Sequence, residues 1–120
     1  MRVLVCGGRH YANKDRVSKI LLKIHGKFNI EVIIQGGAPG ADSLAADWAK
    51  ESGIDLITYA AEWSKYGPSA GPRRNRIMAK EGRPDITVAF PGDKGTRDMI
   101  SVSKQNNIRT IILKRDKDEQ

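Results

Sequence analysis

Short runs of aliphatic, β-branched residues recur along this chain, and three of them end in a glycine-rich turn that leads into a stretch of helical periodicity. The runs occupy residues 2–6, 31–35, 55–59, 85–90 and 109–113. Val3-Leu4-Val5, Val32-Ile33-Ile34 and Thr110-Ile111-Ile112-Leu113 are continuously apolar rather than alternating, which marks strands covered on both faces, as in a parallel sheet. Between them, residues 14–25 place Val17, Ile20, Leu21 and Ile24 on one helical face, and residues 43–52 do the same with Leu44, Ala45, Trp48 and Ala49. Residues 73–80 carry Ile77 and Met78, and residues 96–105 carry Met99 and Ile100. Asn13 is placed to cap the first helix, and Gly26 and Gly53 to end the first two. Strand–helix alternation with short connections implies right-handed crossovers. The expected fold is α/β: a Rossmann-like, doubly wound three-layer sandwich around a mainly parallel five-stranded sheet.

At 120 residues the chain has room for one domain, expected over 1–114, with the charged and amide run 115–120 as a frayed tail. No apolar run approaches the roughly 20 residues of a membrane helix, and Met1 is followed by a charged residue and a strand rather than a signal sequence. A single Cys makes no internal disulfide, so a reduced, cytoplasmic protein with no membrane partner is expected. Cys6 is read as a core thiol, and two separated His residues with one Cys form no metal constellation. Lys and Arg number 21 against 14 Asp and Glu, a net charge of +7 that favours an anionic partner without saying which.

The three glycine turns narrow that choice. They read Gly7-Gly8-Arg9-His10-Tyr11, Gly36-Gly37-Ala38-Pro39-Gly40-Ala41-Asp42 and Pro91-Gly92-Asp93-Lys94-Gly95-Thr96. Glycine lets backbone N–H groups approach a ligand, and a following helix adds unpaired donors and the positive end of its dipole. In a parallel sheet all three turns meet at the carboxyl edge, where their donors converge on a phosphate-bearing ligand. The chain lacks the P-loop pattern and the dinucleotide fingerprint, which disfavours a P-loop ATPase and a conventional dehydrogenase.

The long connection 60–72 carries Trp63 and Tyr66, two aromatic rings suited to stacking on a base, although loop anchoring explains them equally well. Arg73, Arg74 and Arg76, with Asn75, follow it and read as a phosphate clamp at a helix start. Asp42 reads first as a helix N-cap and second as an acceptor for a ribose hydroxyl, and Thr96 as a cap or phosphate contact. His10 lies in the first turn. His25 reads as a dipole partner at a helix C-terminus, and Trp48 as core.

These turns, together with Ala61-Glu62-Trp63, Ala70-Gly71-Pro72, Arg74-Asn75 and Phe90-Pro91-Gly92, resemble the YspA, cpYpsA-related branch of the SLOG superfamily over nearly the whole chain. The superfamily includes the Lonely guy phosphoribohydrolases and the DNA-processing protein DprA. The resemblance implies a Rossmann-like fold that binds a nucleotide or nucleotide-derived ligand, such as an NAD- or ADP-ribose-related molecule, with no further cofactor required. It also allows a homodimer or larger homo-oligomer, which the residues themselves do not report.

Lonely guy enzymes are similar in a P-G-G-x-G-T-x-x-E stretch whose glutamate helps cleave an N-glycosidic bond. Met99 holds that position here and exchanges no proton, while Asp98 is one residue, about 100° on a helix, away. Asp93 replaces a glycine of the pattern and brings a negative charge into a turn that would otherwise receive phosphate. The expected function is therefore a sensor or sequestering domain. Its ligand residues are Gly7, Gly8, Arg9, Gly36, Gly37, Gly40, Asp42, Trp63, Arg73, Arg74, Asn75, Pro91, Gly92, Gly95 and Thr96. The first alternative is an N-glycosidic phosphoribohydrolase using Glu62 or Asp98, with Asp42 a further acid. DprA-like nucleic-acid binding ranks last, because the basic residues are scattered.

Overall fold

The computed structural model describes residues 1–116. Five strands, β1 (Arg2–Cys6), β2 (Val32–Gln35), β3 (Asp55–Thr58), β4 (Ile86–Ala89) and β5 (Arg109–Ile112), form one sheet in the order β3-β2-β1-β4-β5. Every neighbouring pair is parallel. The expected mainly parallel sheet is parallel at every pair, and the expected strand boundaries hold to within a residue or two.

The central strands are buried throughout because each alternates between two cores. Val3 and Val5 of β1 face a layer built by α1 (Lys14–Phe28) and α2 (Ala41–Glu51), packing with Val17, Leu21, Trp48 and Ala49. Leu4 and Cys6 point the other way, into a layer with Met78, Ala79, Met99 and Val102 from α4 (Ala70–Glu81) and α5 (Lys94–Gln105). In the buried strand β4, Thr87 sends its hydroxyl into that second layer, where it meets the Ser103 hydroxyl at 2.9 Å, so neither polar atom is stranded. The edge strands β3 and β5 are half-exposed and begin with Asp55 and Arg109, charges that discourage further strand addition.

Chain direction reverses at β1. Strands β1, β2 and β3 step one way, and the chain then crosses back to place β4 on the other side of β1. That crossing uses the connection expected as a loop; it folds into α3 (Trp63–Tyr66), a 3-10 turn (Gly67–Ser69) and the start of α4. Helix α4 begins at Ala70, three residues before the expected start, because Pro72 fits a first helical turn where its missing N–H is not needed. Helix α1 runs through Gly26 and ends at Asn29, which takes φ 57° and donates its N–H to the His25 carbonyl at 2.9 Å. His25 lies in the last turn of α1, where its Nδ1 accepts the Ile30 N–H at 2.9 Å and its ring meets Trp48 edge-on at 6.1 Å.

Asn13 caps α1 as expected, its Oδ1 accepting the Arg16 N–H at 3.0 Å. The tail departs from expectation at its start, since Asp116 is tied down by three residues of the α1 entry. It accepts from the Tyr11 hydroxyl at 3.0 Å and from Asn13 Nδ2 at 2.7 Å, and it pairs with Arg16. Burial and the Asp116 carboxylate push the Tyr11 hydroxyl up to about 12, so it remains a donor. Residues 117–120 of the expected tail lie outside the described residues. Asp116→Ala is expected to lower the thermal midpoint by about 5 °C, from about 1 kcal/mol of lost hydrogen bonding in a domain of this size. An unchanged midpoint in a thermal melt would refute that role.

Candidate functional site

The crevice lies where chain direction reverses, at the carboxyl ends of β1 and β4, the place where open α/β sheets bind ligands. A cavity of about 430 Å³ opens there, within the roughly 300–1,000 Å³ of small-ligand pockets. Its floor is Cys6, Gly7 and Gly8; one side is Ala38, Asp42 and Arg74, and another is the α5 entry from Asp93 to Thr96 with Asp98 and Met99. Trp63, Pro68, Gly71 and Pro72 form the outer wall. Burial, with the Asp42 charge adding, raises the Cys6 thiol far above its ordinary value, which makes it a packing group rather than a nucleophile.

Several backbone donors of the first two turns are taken up within the protein rather than offered to a ligand. The Gly8 N–H reaches the Pro91 carbonyl at 2.9 Å, and the Gly8 carbonyl accepts from Tyr11 and Ala41, both at 3.1 Å. In the second turn, Gly36 and Ala38 donate to Asp42 Oδ2, each at 3.2 Å, and Gly37 donates to Gln35 Oε1 at 2.5 Å. Asp42 is therefore not the N-cap of α2. The cap position is Gly40, which has no side chain to offer, and Asp42 folds back from the first turn to hold the loop that precedes the helix. At the third turn α5, like α2, has no side-chain cap, but it also has no acid in its first turn, and the N–H groups of Lys94, Gly95 and Thr96 have no partner among the described residues. Of the expected convergence of three sets of donors, the α5 entry offers a run of three, while Gly8, Gly36, Gly37 and Ala38 use theirs to brace the loops.

Arg74 locks the crossing to the second turn. Its Nη1 donates to the Gly36 carbonyl at 2.7 Å, while Nε donates to Asn75 Oδ1 at 3.0 Å. A Cβ on Gly36 would collide with that guanidinium, so glycine is what allows Arg74 into this position. Burial lowers the Arg74 pKa from its ordinary value, opposed by the nearby Asp42 charge. Buried Asn75 turns its Nδ2 to Asp98 Oδ2 at 2.9 Å, and Arg76 lies 3.4 Å from the same oxygen. Met99 packs in the core and also borders the cavity, and Asp98, held from α4, lines it as well.

Of the expected ligand residues, the structure brings Gly7, Gly8, Arg9, Asp42, Trp63, Arg74, Asn75, Gly95 and Thr96 to this cavity. Gly36, Gly37 and Gly40 lie behind it as loop-forming positions, and Pro91 and Gly92 border a neighbouring depression. Arg73 is directed elsewhere: it donates to Ser69 Oγ at 3.2 Å and stacks on the Tyr66 ring at 4.4 Å, fastening α3 to α4 and occupying Tyr66. Trp63 is 55% exposed and leans on Gly71, where a Cβ would come within 3.2 Å of its ring. Glu62 is exposed and outside the cavity lining, which leaves Asp93, Asp98 and the loop-bound Asp42 as the cavity's acids. The sequence reading passed over Lys94, Pro68 and Met78. Lys94 had a signal, since it directly precedes Gly95-Thr96 at a helix start.

The YspA, cpYpsA-related SLOG family model matches residues 1–66. The Gene 61 protein of Mycobacterium phage D29 is 31% identical over 118 residues, covering 92% of this chain and 94% of that protein. Among solved structures, DNA processing protein A (DprA) from Streptococcus pneumoniae superposes with a TM-score of 0.77 over 98% of this chain at 16% identity. This chain spans 52% of that DprA chain, and the likeness is one of fold. No helix among the described residues is long and apolar enough to cross a membrane. On the family model and the full-length relative, the chain belongs to the YspA, cpYpsA-related SLOG family.

Proposed function

We propose that this domain binds a nucleotide or nucleotide-derived small molecule at the switch-point cavity, as a sensing or sequestering module. The observation that carries the reading is the α5 entry: three unpaired N–H groups face a cavity also lined by Arg9, Arg74 and Lys94, none of which pairs with a carboxylate among the described residues. In this reading the phosphate sits on Lys94, Gly95 and Thr96. Trp63 and Pro68 supply an apolar wall for the base, and Asp98 accepts from ribose hydroxyls.

Calorimetry with AMP, ADP-ribose, NAD, cyclic ADP-ribose isomers and a single-stranded oligonucleotide tests it. At least one nucleotide is expected to bind, and Lys94→Ala or Arg9→Ala to weaken it about tenfold, as for one lost charge-assisted hydrogen bond of about 1.5 kcal/mol. Nucleotides that all fail to bind, or variants that bind like the parent, would sink the reading.

A second reading, N-glycosidic hydrolysis, draws its support from the Asp98 carboxylate held in the cavity by Asn75. It expects mass spectrometry of those samples to reveal a free base, and Asp98→Asn to abolish its release. Oligonucleotide binding that falls steeply with salt would favour a nucleic-acid partner instead.

A further inference from the structure

A second depression adjoins the cavity on the side of β5. It is shallower and wider, about 860 Å³, and shares Gly8, Arg9, Asp93 and Thr96 with the first. Its far side is Arg97 and Ile100 of α5 with Ile112 and Leu113 at the end of β5. The divide between the two hollows is formed by the Gly8 and Gly92 backbone with the Thr96 hydroxyl beside it. Gly8 and Gly92 face each other there, and a Cβ on Gly92 would sit 2.6 Å from the Gly8 nitrogen. No side chain of either residue stands in the passage.

Charge is distributed unevenly across that divide. The first cavity balances Arg9, Arg74 and Lys94 against Asp42, Asp93 and Asp98. The second sets Arg9 and Arg97 against Asp93, with Arg115, already engaged elsewhere, also in its lining. The side chains of Arg9 and Arg97 make no hydrogen bond or ion pair with another described residue, and both are exposed. A ligand confined to the first cavity would leave this surplus unused, whereas a chain of linked phosphates passing over Gly8 and Gly92 would meet it.

We infer that the site takes a nucleotide carrying at least two linked phosphates, the first at the α5 entry and the second between Arg9 and Arg97. This rests on the nucleotide-binding reading above. A terminal diphosphate and a pyrophosphate bridging to a second sugar present the same chemistry to the two guanidinium groups, so ADP and ADP-ribose are separate arms of the test.

Affinities of AMP, ADP and ADP-ribose would be measured by calorimetry for the parent and for Arg97→Ala, at one fixed salt concentration. ADP, ADP-ribose or both are expected to bind at least tenfold more tightly than AMP. Arg97→Ala is expected to weaken the two-phosphate ligands five- to tenfold and AMP less than twofold. Arg97 is exposed, and matching thermal melts would confirm that the variant folds. AMP binding as tightly as ADP and ADP-ribose would overturn the inference while leaving the nucleotide reading intact. Equal weakening of all three ligands by Arg97→Ala would do the same. Binding of none of them would remove both. A single-stranded oligonucleotide that outcompetes ADP-ribose would replace the two-phosphate ligand with a polymer.

Discussion

Replacing Gly40 by alanine is expected to lower folding stability by about 2–4 kcal/mol, read from denaturant unfolding as a shifted midpoint with an unchanged slope. Two independent causes act at this position. Gly40 has φ 81° and ψ −128°, a conformation that a residue with a Cβ adopts only under strain. Its Cβ would also collide with the Gly8 carbonyl oxygen and lie 2.6 Å from the Arg9 carbonyl carbon, both rigid backbone atoms. Relief requires the first and second turns to separate. That would break the Ala41 N–H bond to the Gly8 carbonyl and shift Arg9 away from both hollows. Ligand affinity should therefore fall together with stability. Gly53→Ala is the control: it too has positive φ, at 68°, but a Cβ there meets nothing within 4 Å, so only the conformational cost of about 1 kcal/mol remains. Equal losses for the two variants would show that the loop–loop contact carries no weight.

The second large effect is a dependence on pH. Burial pushes the Asp42 carboxyl up to about 6 from its ordinary 3.8, against the opposing pull of the Ala38 and Gly36 N–H groups and the nearby Arg74 charge. Because the folded value lies above the unfolded one, folding takes up a proton between them. The contribution of this group is most favourable when it is protonated, below about pH 4. It declines as pH rises through 4 to 6 and is level above that. A displacement of about two units corresponds to about 2–3 kcal/mol. Asp42→Asn keeps an oxygen to accept from Gly36 and Ala38 but carries no charge. The difference in stability between parent and variant should therefore change across pH 4–6 by that amount, in favour of the variant as pH rises. Superimposable pH profiles of urea unfolding would contradict the assignment. Asp116, whose pKa is lowered by its hydrogen bonds to Asn13, Tyr11 and Arg16 despite some desolvation, contributes stability that is lost as pH falls below the carboxylate range. The parent–variant difference cancels that opposite slope.

Both effects arise at the same place, the contact between the turns after β1, β2 and β4. Two of the buried polar side chains there act as ties. Asp42 holds the second turn by its backbone N–H groups, and Asn75 joins Arg74 to Asp98. A ligand would consequently meet a preorganised wall, with the ordering cost already met in folding.

Strand positions, the parallel sheet and the apolar face of the helices were legible in the sequence, because continuous β-branched runs and three- and four-residue apolar spacings are local consequences of burial. Val3 and Leu4 face opposite cores simply because a strand alternates. The glycine turns marked the edge where a ligand would sit, since a parallel sheet puts all of them on one side. What each turn does with its donors was not legible. The Gly8–Pro91 bond, the Arg74–Gly36 bond and the fold-back of Asp42 join atoms from different turns or across a tight loop, and their partners are set only once the crossing from β3 to β4 is packed. Helical phase places Asp98 away from the Met99 side chain, but a neighbouring helix, through Asn75, decides that the Asp98 direction is also the cavity. Sequence fixes local periodicity and conformational freedom. Which donors remain unpaired, and which charges lack a partner, is a property of long-range contacts and is decided by the tertiary structure alone.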